Sequence, residues 1–336
     1  MSRLLVLAQF TSVIVVAGLV VWLFVWQNTL TQSLNPLPTS LIPRPRPAFQ
    51  TSLLPSSSST WILYLLQTEE CLPSHLKSVF VNSSACPCDV VVLSYKKVCT
   101  DTSLSNVKYL FNRSTTWTTG RNLLFYSNMY HRSKRYLYYI LMDDDIHLQW
   151  TEKLAKEFRS KDPWRSFEEF LYRVQPAVAA LRVNNQTVFG PERCLVGKEY
   201  SPTVWYDAAF NAFHYKAVEH LLPYSDHFDN ISWWYSQLYN IVWSEIVFRG
   251  QVVMNREIIA VNKVHHSYPR KRMFDSALAM ILKDIRERIP ENCQNASLIQ
   301  EWERNNISHA QMGSSTYCLP PPLPNYTVTA YRNFIC

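Results

Sequence analysis

Hydrophobic and polar positions divide the chain into three stretches of different character. Leu4 to Trp26 is predominantly apolar and carries no charge. Its 23 residues, at about 1.5 Å of helical rise each, reach roughly 35 Å and cross a bilayer with some tilt. A signal peptide that is cut away has a shorter apolar region ending in small residues, whereas Trp22, Phe24 and Trp26 close this one. The pattern predicts an uncleaved transmembrane signal anchor at 4–26 behind a short tail, 1–3. Residues 27–60 hold six prolines, no acid, and only Arg44 and Arg46 as charges. Such a segment buries too little apolar surface to offset its ordering entropy, which predicts a disordered, extended stem. At Trp61 dense apolar runs begin, and residues 61–336 are long enough for one large core or two closely joined lobes.

Within that last stretch, Trp61–Leu66 and Asp89–Tyr95 predict strands, and Val107–Phe111 a third of weaker pattern. Leu123, Leu124, Ser127 and Tyr130 recur at helical spacing, which predicts a helix over 121–132. Tyr136 to Met142 has seven apolar or aromatic residues in a row without helical period, the mark of a strand buried on both faces. Phe167 to Val183 is helical in pattern, interrupted by Pro176. Residues 204–222 open with a strand-like aromatic piece and continue as a helix through Leu222. Ile231–Phe248 predicts a helix, Val252–Val264 a strand and 273–289 an amphipathic helix, before a loop-rich tail. Strands and helices alternating in this way predict an α/β fold, a mostly parallel twisted sheet flanked by helices. Ligands of such sheets bind beyond the carboxyl ends of the strands.

Charge adds a direction and removes a class. Arg3 and the α-amino group precede the apolar span and the next basic residue is Arg44, so the tail faces the cytoplasm and the bulk the lumen. Seven Asn-x-Ser/Thr sequons, at Asn82, Asn112, Asn185, Asn230, Asn295, Asn306 and Asn325, exceed the roughly three expected by chance and point the same way as N-glycosylation sites. All eight cysteines follow the span, which suggests up to four disulfides of undetermined connectivity. Cys86 and Cys88 do not match a zinc spacing. The net charge of +7 is densest at Arg270-Lys271-Arg272, without a long basic stripe, and nucleic acid is excluded as a partner.

The chemistry concentrates where the run from Tyr136 ends in Asp143-Asp144-Asp145. Three carboxylates at the end of a buried strand repel one another and must stay hydrated or paired, and a divalent cation removes that penalty. A cation held by two carboxylates and bridged by a diphosphate is one way to grip an activated phosphate leaving group. With its short tail, single anchor, Pro/Ser stem and Leu-Met-Asp-Asp-Asp-Ile sequence, the chain resembles Golgi type II glycosyltransferases of the GT-A fold, whose Asp-x-Asp motif matches Asp143-Asp144-Asp145. The resemblance implies a single-pass Golgi membrane enzyme with a nucleotide-sugar donor, Mn²⁺ or Mg²⁺, and a glycan, glycoprotein or glycolipid acceptor. It implies direct metal contact for Asp145, and water-mediated metal contact or donor ribose contact for Asp143, with Asp144 taking either part. It makes Arg121 and Asn122 donor-binding residues and His265 or His266 a further metal ligand. On the residues alone, Gly120 at a helix start lets backbone approach a ligand. Asp207 and Glu245 each sit in an apolar, aromatic setting that raises a carboxyl pKa, as a general base requires and as a buried structural acid also shows. Trp205, Trp233 and Trp234 are either sugar-stacking residues or core. No acidic dipeptide follows a glycine pair, so stereochemistry stays open. A catalytically silent lumenal binding or escort protein, and a hydrolase using Asp207 and Glu245, are the competing readings.

Overall fold

The apolar runs pair side by side into one nine-stranded sheet in a computed structural model of the protein. It describes residues 61–80, 88–101, 104–129, 136–155, 157–158, 160–184, 199–262, 274–290 and 328–330. The expected anchor at 4–26, the stem, His265, His266, the Arg270–Arg272 cluster and five of the seven sequons lie outside the described residues. Among the described residues no helix is long and apolar enough to cross a membrane.

In chain order the elements are β1 (Ile62–Thr68), α1 (Ser74–Phe80), β2 (Cys88–Ser94), β3 (Val107–Phe111), α2 (Trp117–Met129), β4 (Tyr138–Asp143) and β5 (Ile146–Trp150). There follow α3 (Glu152–Ala155), α4 (Pro163–Val174), β6 (Val178–Val183), β7 (Tyr200–Pro202), β8 (Phe210–His214), α5 (Tyr215–Leu221), α6 (Trp233–Phe248), β9 (Val252–Asn262) and α7 (Phe274–Arg288). The strand order is β3-β2-β1-β4-β8-β6-β9-β5, with β7 also paired to β9. The fold is α/β with helices flanking the sheet, as the alternation of patterns implies. The sheet, however, is mixed. Pairs β1–β2, β2–β3, β1–β4 and β6–β9 are parallel, while β4–β8, β6–β8, β5–β9 and β7–β9 are antiparallel. A strand buried on both faces has the same apolar run whichever way its neighbour points, so the pattern carries no direction.

The core lies on both faces of the sheet. Along β1, Ile62, Tyr64 and Leu66 face one layer, with Phe80 of α1 and Trp164, Phe167 and Phe170 of α4. Leu63 and Leu65 face the other, with Leu124 of α2 and the buried side chains of α5, α6 and α7. From Tyr235 to Phe248 every residue of α6 is buried, so beyond its first two residues this helix has no solvent face.

Two boundaries differ from the pattern. The single interrupted helix expected at 167–183 is α4 followed by β6. Asp162 caps α4 by accepting from Trp164 N–H, Pro163 opens it, and it ends at Gln175 with φ 49°. Val178–Val183 then pairs with β8 and β9. Small and apolar residues buried on both sides mimic a continued helix. The start of α2 lies four residues before Arg121, because Thr116 and Thr119 cap each other. Thr116 N–H donates to Thr119 Oγ1 at 2.8 Å, and Thr119 N–H donates to Thr116 Oγ1 at 3.1 Å.

Cys71 and Cys99 form a disulfide, Cys88 is disulfide-bonded as well, and no described cysteine is free. Between the sheet and α4, Tyr64 donates its hydroxyl to Glu168 Oε1 at 2.7 Å, while Arg165 pairs with the other carboxylate oxygen. Burial pushes the Glu168 carboxyl up to about 7, against the pull of Arg165. The folded state therefore binds this proton more tightly than the unfolded chain does. Its contribution to stability is complete below about pH 4.5, and is lost as pH rises through about 7. Urea midpoints measured between pH 4.5 and 7.5 should fall with rising pH, and Glu168→Gln should flatten that slope. An unchanged slope in the variant would place the titration elsewhere.

Candidate functional site

Parallel pairing brings the ends of β1 and β4 level, with Gln67 opposite Asp143. Beyond that edge the chain makes a tight turn at Asp144 and Asp145 and enters β5. The Asp143 N–H donates to the Ala209 carbonyl at 2.9 Å, which fixes the end of β4 against the segment leading into β8. In that segment Asp207 Oδ1 accepts from Ala209 N–H at 2.8 Å, a local turn that an Asp side chain favours.

Arg121 joins these two pieces. Its side chain is 2% exposed, Nη2 lies 2.6 Å from Asp143 Oδ1, and Nη1 donates to the Ala208 carbonyl at 3.0 Å. The guanidinium lies 4.2 Å from the centre of the Trp117 ring. Trp117 is one helical turn earlier on α2, where a residue four positions away is a neighbour. The Tyr224 hydroxyl borders Arg121 and Asn211. The guanidinium expected to meet a donor phosphate is thus given to the protein. So is Asn122, whose side chain donates to Tyr224 O and accepts from Tyr224 N, both at 2.8 Å.

Gly120 serves packing in the same way. A Cβ there would fall 2.4 Å from the Gln67 side chain, whose Nε2 donates to the Thr116 carbonyl at 3.0 Å. The first turn of α2 sits on the amide at the end of β1.

The electrostatics follow from this assembly. Burial raises the Asp143 carboxyl to about 7; Arg121 pulls it down, and Asp145 and Asp207 push it further up. The Asp143 side chain nevertheless keeps 32% of its surface exposed, so solvent softens the shift at the mouth of the site. Asp143, Asp145 and Asp207 form one acidic cluster with Asp144 in the turn between the first two. Glu245 is not part of it. It lies buried in α6, with Arg249 Nε at 3.5 Å one turn on. Of the two sequence candidates for a base, the structure brings Asp207 to the acids and leaves Glu245 in the core.

The described sequons are Asn230, which is exposed, and Asn112, which is half-buried with Oδ1 accepting from Ser114 N–H at 2.9 Å. No family model and no curated protein matches the chain. Among solved structures it is similar to the crystal structure of A197 from STIV at a TM-score of 0.32 and 10% identity, over 63% of this chain and 99% of that one. That likeness is too slight to bear on the chemistry.

A metal ion has a partial fit. Among the described residues no three His, Cys, Asp or Glu side chains stand together as a ligand set. Asp143 and Asp145 supply two carboxylates, and one oxygen of Asp143 is occupied by Arg121. Such a donor set suits a hard cation that completes its shell with water and phosphate oxygens. The residues missed in the sequence are Trp117, Tyr224, Asn211 and the Ala208 carbonyl. Only Trp117 carried a signal, its four-residue offset from Arg121.

Proposed function

We propose that the protein is a metal-dependent glycosyltransferase. It moves a sugar from a nucleotide-sugar donor to a glycan, glycoprotein or glycolipid acceptor, as a single-pass type II membrane protein of the Golgi with its catalytic domain in the lumen. The observation that carries this reading is the acidic cluster beyond the carboxyl ends of β1 and β4, where an open α/β sheet receives ligands. Asp145 and the free side of Asp143 hold Mn²⁺ or Mg²⁺, which when bound neutralises charge on the departing nucleoside diphosphate. Arg121 keeps Asp143 aimed and opposes the rise that burial imposes on its pKa. Asp207 is the base for the acceptor hydroxyl, being the half-buried carboxylate nearest in the chain to the partly exposed Trp205.

The second reading, a catalytically silent binding or escort protein, is favoured by the Arg121–Asp143 pair, because a carboxylate already neutralised by a cation needs no metal. Calorimetric titration of the full-length protein in detergent with a panel of nucleotide sugars, with and without Mn²⁺, separates the two. Metal-dependent binding of a donor supports the transferase. A folded protein that binds no donor under either condition supports the silent protein.

A further inference from the structure

The strand order has two ends, and the chain treats them differently. At one stands β5, and the segment after it folds back: the Trp150 indole donates to the Lys161 carbonyl at 3.0 Å, and its ring lies 4.9 Å from that of Phe158. At the other stands β3, whose outer side pairs with no described strand. The Asn106 carbonyl accepts from Val90 N–H, and Asn112 N–H donates to the Ser94 carbonyl, both bonds to β2. Bonding direction alternates along a strand, so the N–H and C=O of Tyr109 and Phe111 point away from β2. Lys108 gives this edge one exposed charge, while Phe111, 38% exposed, gives its end an aromatic side chain. An edge of this kind is a template for pairing with another chain.

That strand ends at a sequon. Asn112-Arg113-Ser114 follows Phe111 directly and turns on itself. Asn112 Oδ1 accepts from Ser114 N–H at 2.9 Å, and the Thr115 hydroxyl donates to the Asn112 carbonyl at 3.4 Å. Arg113 folds back toward the strand, its guanidinium 5.6 Å from the centre of the Phe111 ring. A glycan on Asn112 Nδ2 therefore starts one residue beyond the last outward-facing backbone groups of β3. A second strand pairs only by coming within about 4.8 Å, and a branched, hydrated oligosaccharide at that point keeps it away.

We infer that Asn112 carries an N-glycan that shields the open β3 edge and keeps the protein from pairing with a second copy of itself there. The shield depends on the lumenal placement of the domain proposed above. In the transfer step Asn112 Nδ2 bonds to C1 of a sugar carried on a lipid-linked diphosphate, and the bond from C1 to the diphosphate oxygen breaks. Nδ2 gives up one proton and the lipid diphosphate leaves. Asn230, the other described sequon, lies in the turn before α6 and not in the strand that ends the sheet, so its glycan has no such role.

The test uses the full-length protein expressed in a eukaryotic cell and purified in detergent. Glycopeptide mass spectrometry reads the occupancy of each sequon, and analytical ultracentrifugation reads self-association. Asn112 should be occupied, and Asn112→Gln and Ser114→Ala should each tighten self-association about tenfold against the parent. Ser114→Ala keeps the Asn112 side chain and the backbone N–H that it accepts from, so a folding defect in Asn112→Gln does not decide the result. Ser114→Thr, which preserves the sequon, should match the parent, as should Asn230→Gln. Adding Phe111→Pro to Asn112→Gln removes an outward N–H and no bond to β2, and should restore the parent's behaviour. A bare Asn112 in a protein glycosylated at other sequons overturns the shield and leaves the lumenal placement standing. So does self-association that Asn112→Gln and Ser114→Ala leave unchanged, or that Asn230→Gln raises equally. A protein with no glycan on any sequon removes both.

Discussion

Arg121→Ala is expected to destabilise the folded domain by about 3–5 kcal/mol, the usual cost of removing one partner from a buried ion pair. The guanidinium is 2% exposed and holds Asp143 and the Ala208 carbonyl together, so its loss leaves two acceptors without their donor. The loss also removes its stacking on Trp117. Arg121→Lys should recover only part of the deficit, because an ammonium cannot reach both acceptors with the geometry of a planar fork. Urea titration followed by tryptophan fluorescence reads both variants against the parent. A loss below about 1 kcal/mol in the Ala variant, the range of a surface pair, would mean that the pair does not hold the site together.

Asp145→Asn should behave in the opposite way. It removes a like charge that pushes on Asp143, so the urea midpoint should stay level or rise slightly. If the protein is the proposed glycosyltransferase, transfer should in contrast fall roughly 10²–10³-fold at saturating Mn²⁺, the scale on which removing one stabilising group from a developing charge acts. Single-turnover rates under matched donor and acceptor concentrations give the comparison. An unaltered rate in a stable variant would remove Asp145 from the chemistry. Together the two substitutions separate the residue that builds the site from the residue that uses it.

The sequence made much of this assembly legible. The apolar runs within 61–66, 89–95 and 136–142 mark strands, the last of them covered on both faces, and the acids that follow it mark the edge of the sheet. The direction of β8 was not legible, because Phe210–His214 is buried whichever way it runs. Neither were α1, β5 and β7, which are too short to show a period. Asp207 and Glu245 looked alike as acids among aromatics. Their difference is tertiary: one caps a turn beside Asp143, while the other points into a helix core beside Arg249. Arg121 stands out in the sequence for its place before a helix, yet its partners lie 22 and 87 residues away, and no local pattern records such a meeting.

The helix from Trp233 to Phe248 has a consequence of another kind. Most helices in a domain of this size keep an outer face where substitutions are harmless, and neutral drift accumulates there over evolutionary time. Here Tyr235 through Phe248 offers no such face. Every change must be absorbed by a neighbour, whether the sheet, α5, α7 or the Tyr206 loop. As descendants of this chain diverge, α6 should be the segment that changes last, and the pace at which it changes would measure how fast the layer around it can be rebuilt.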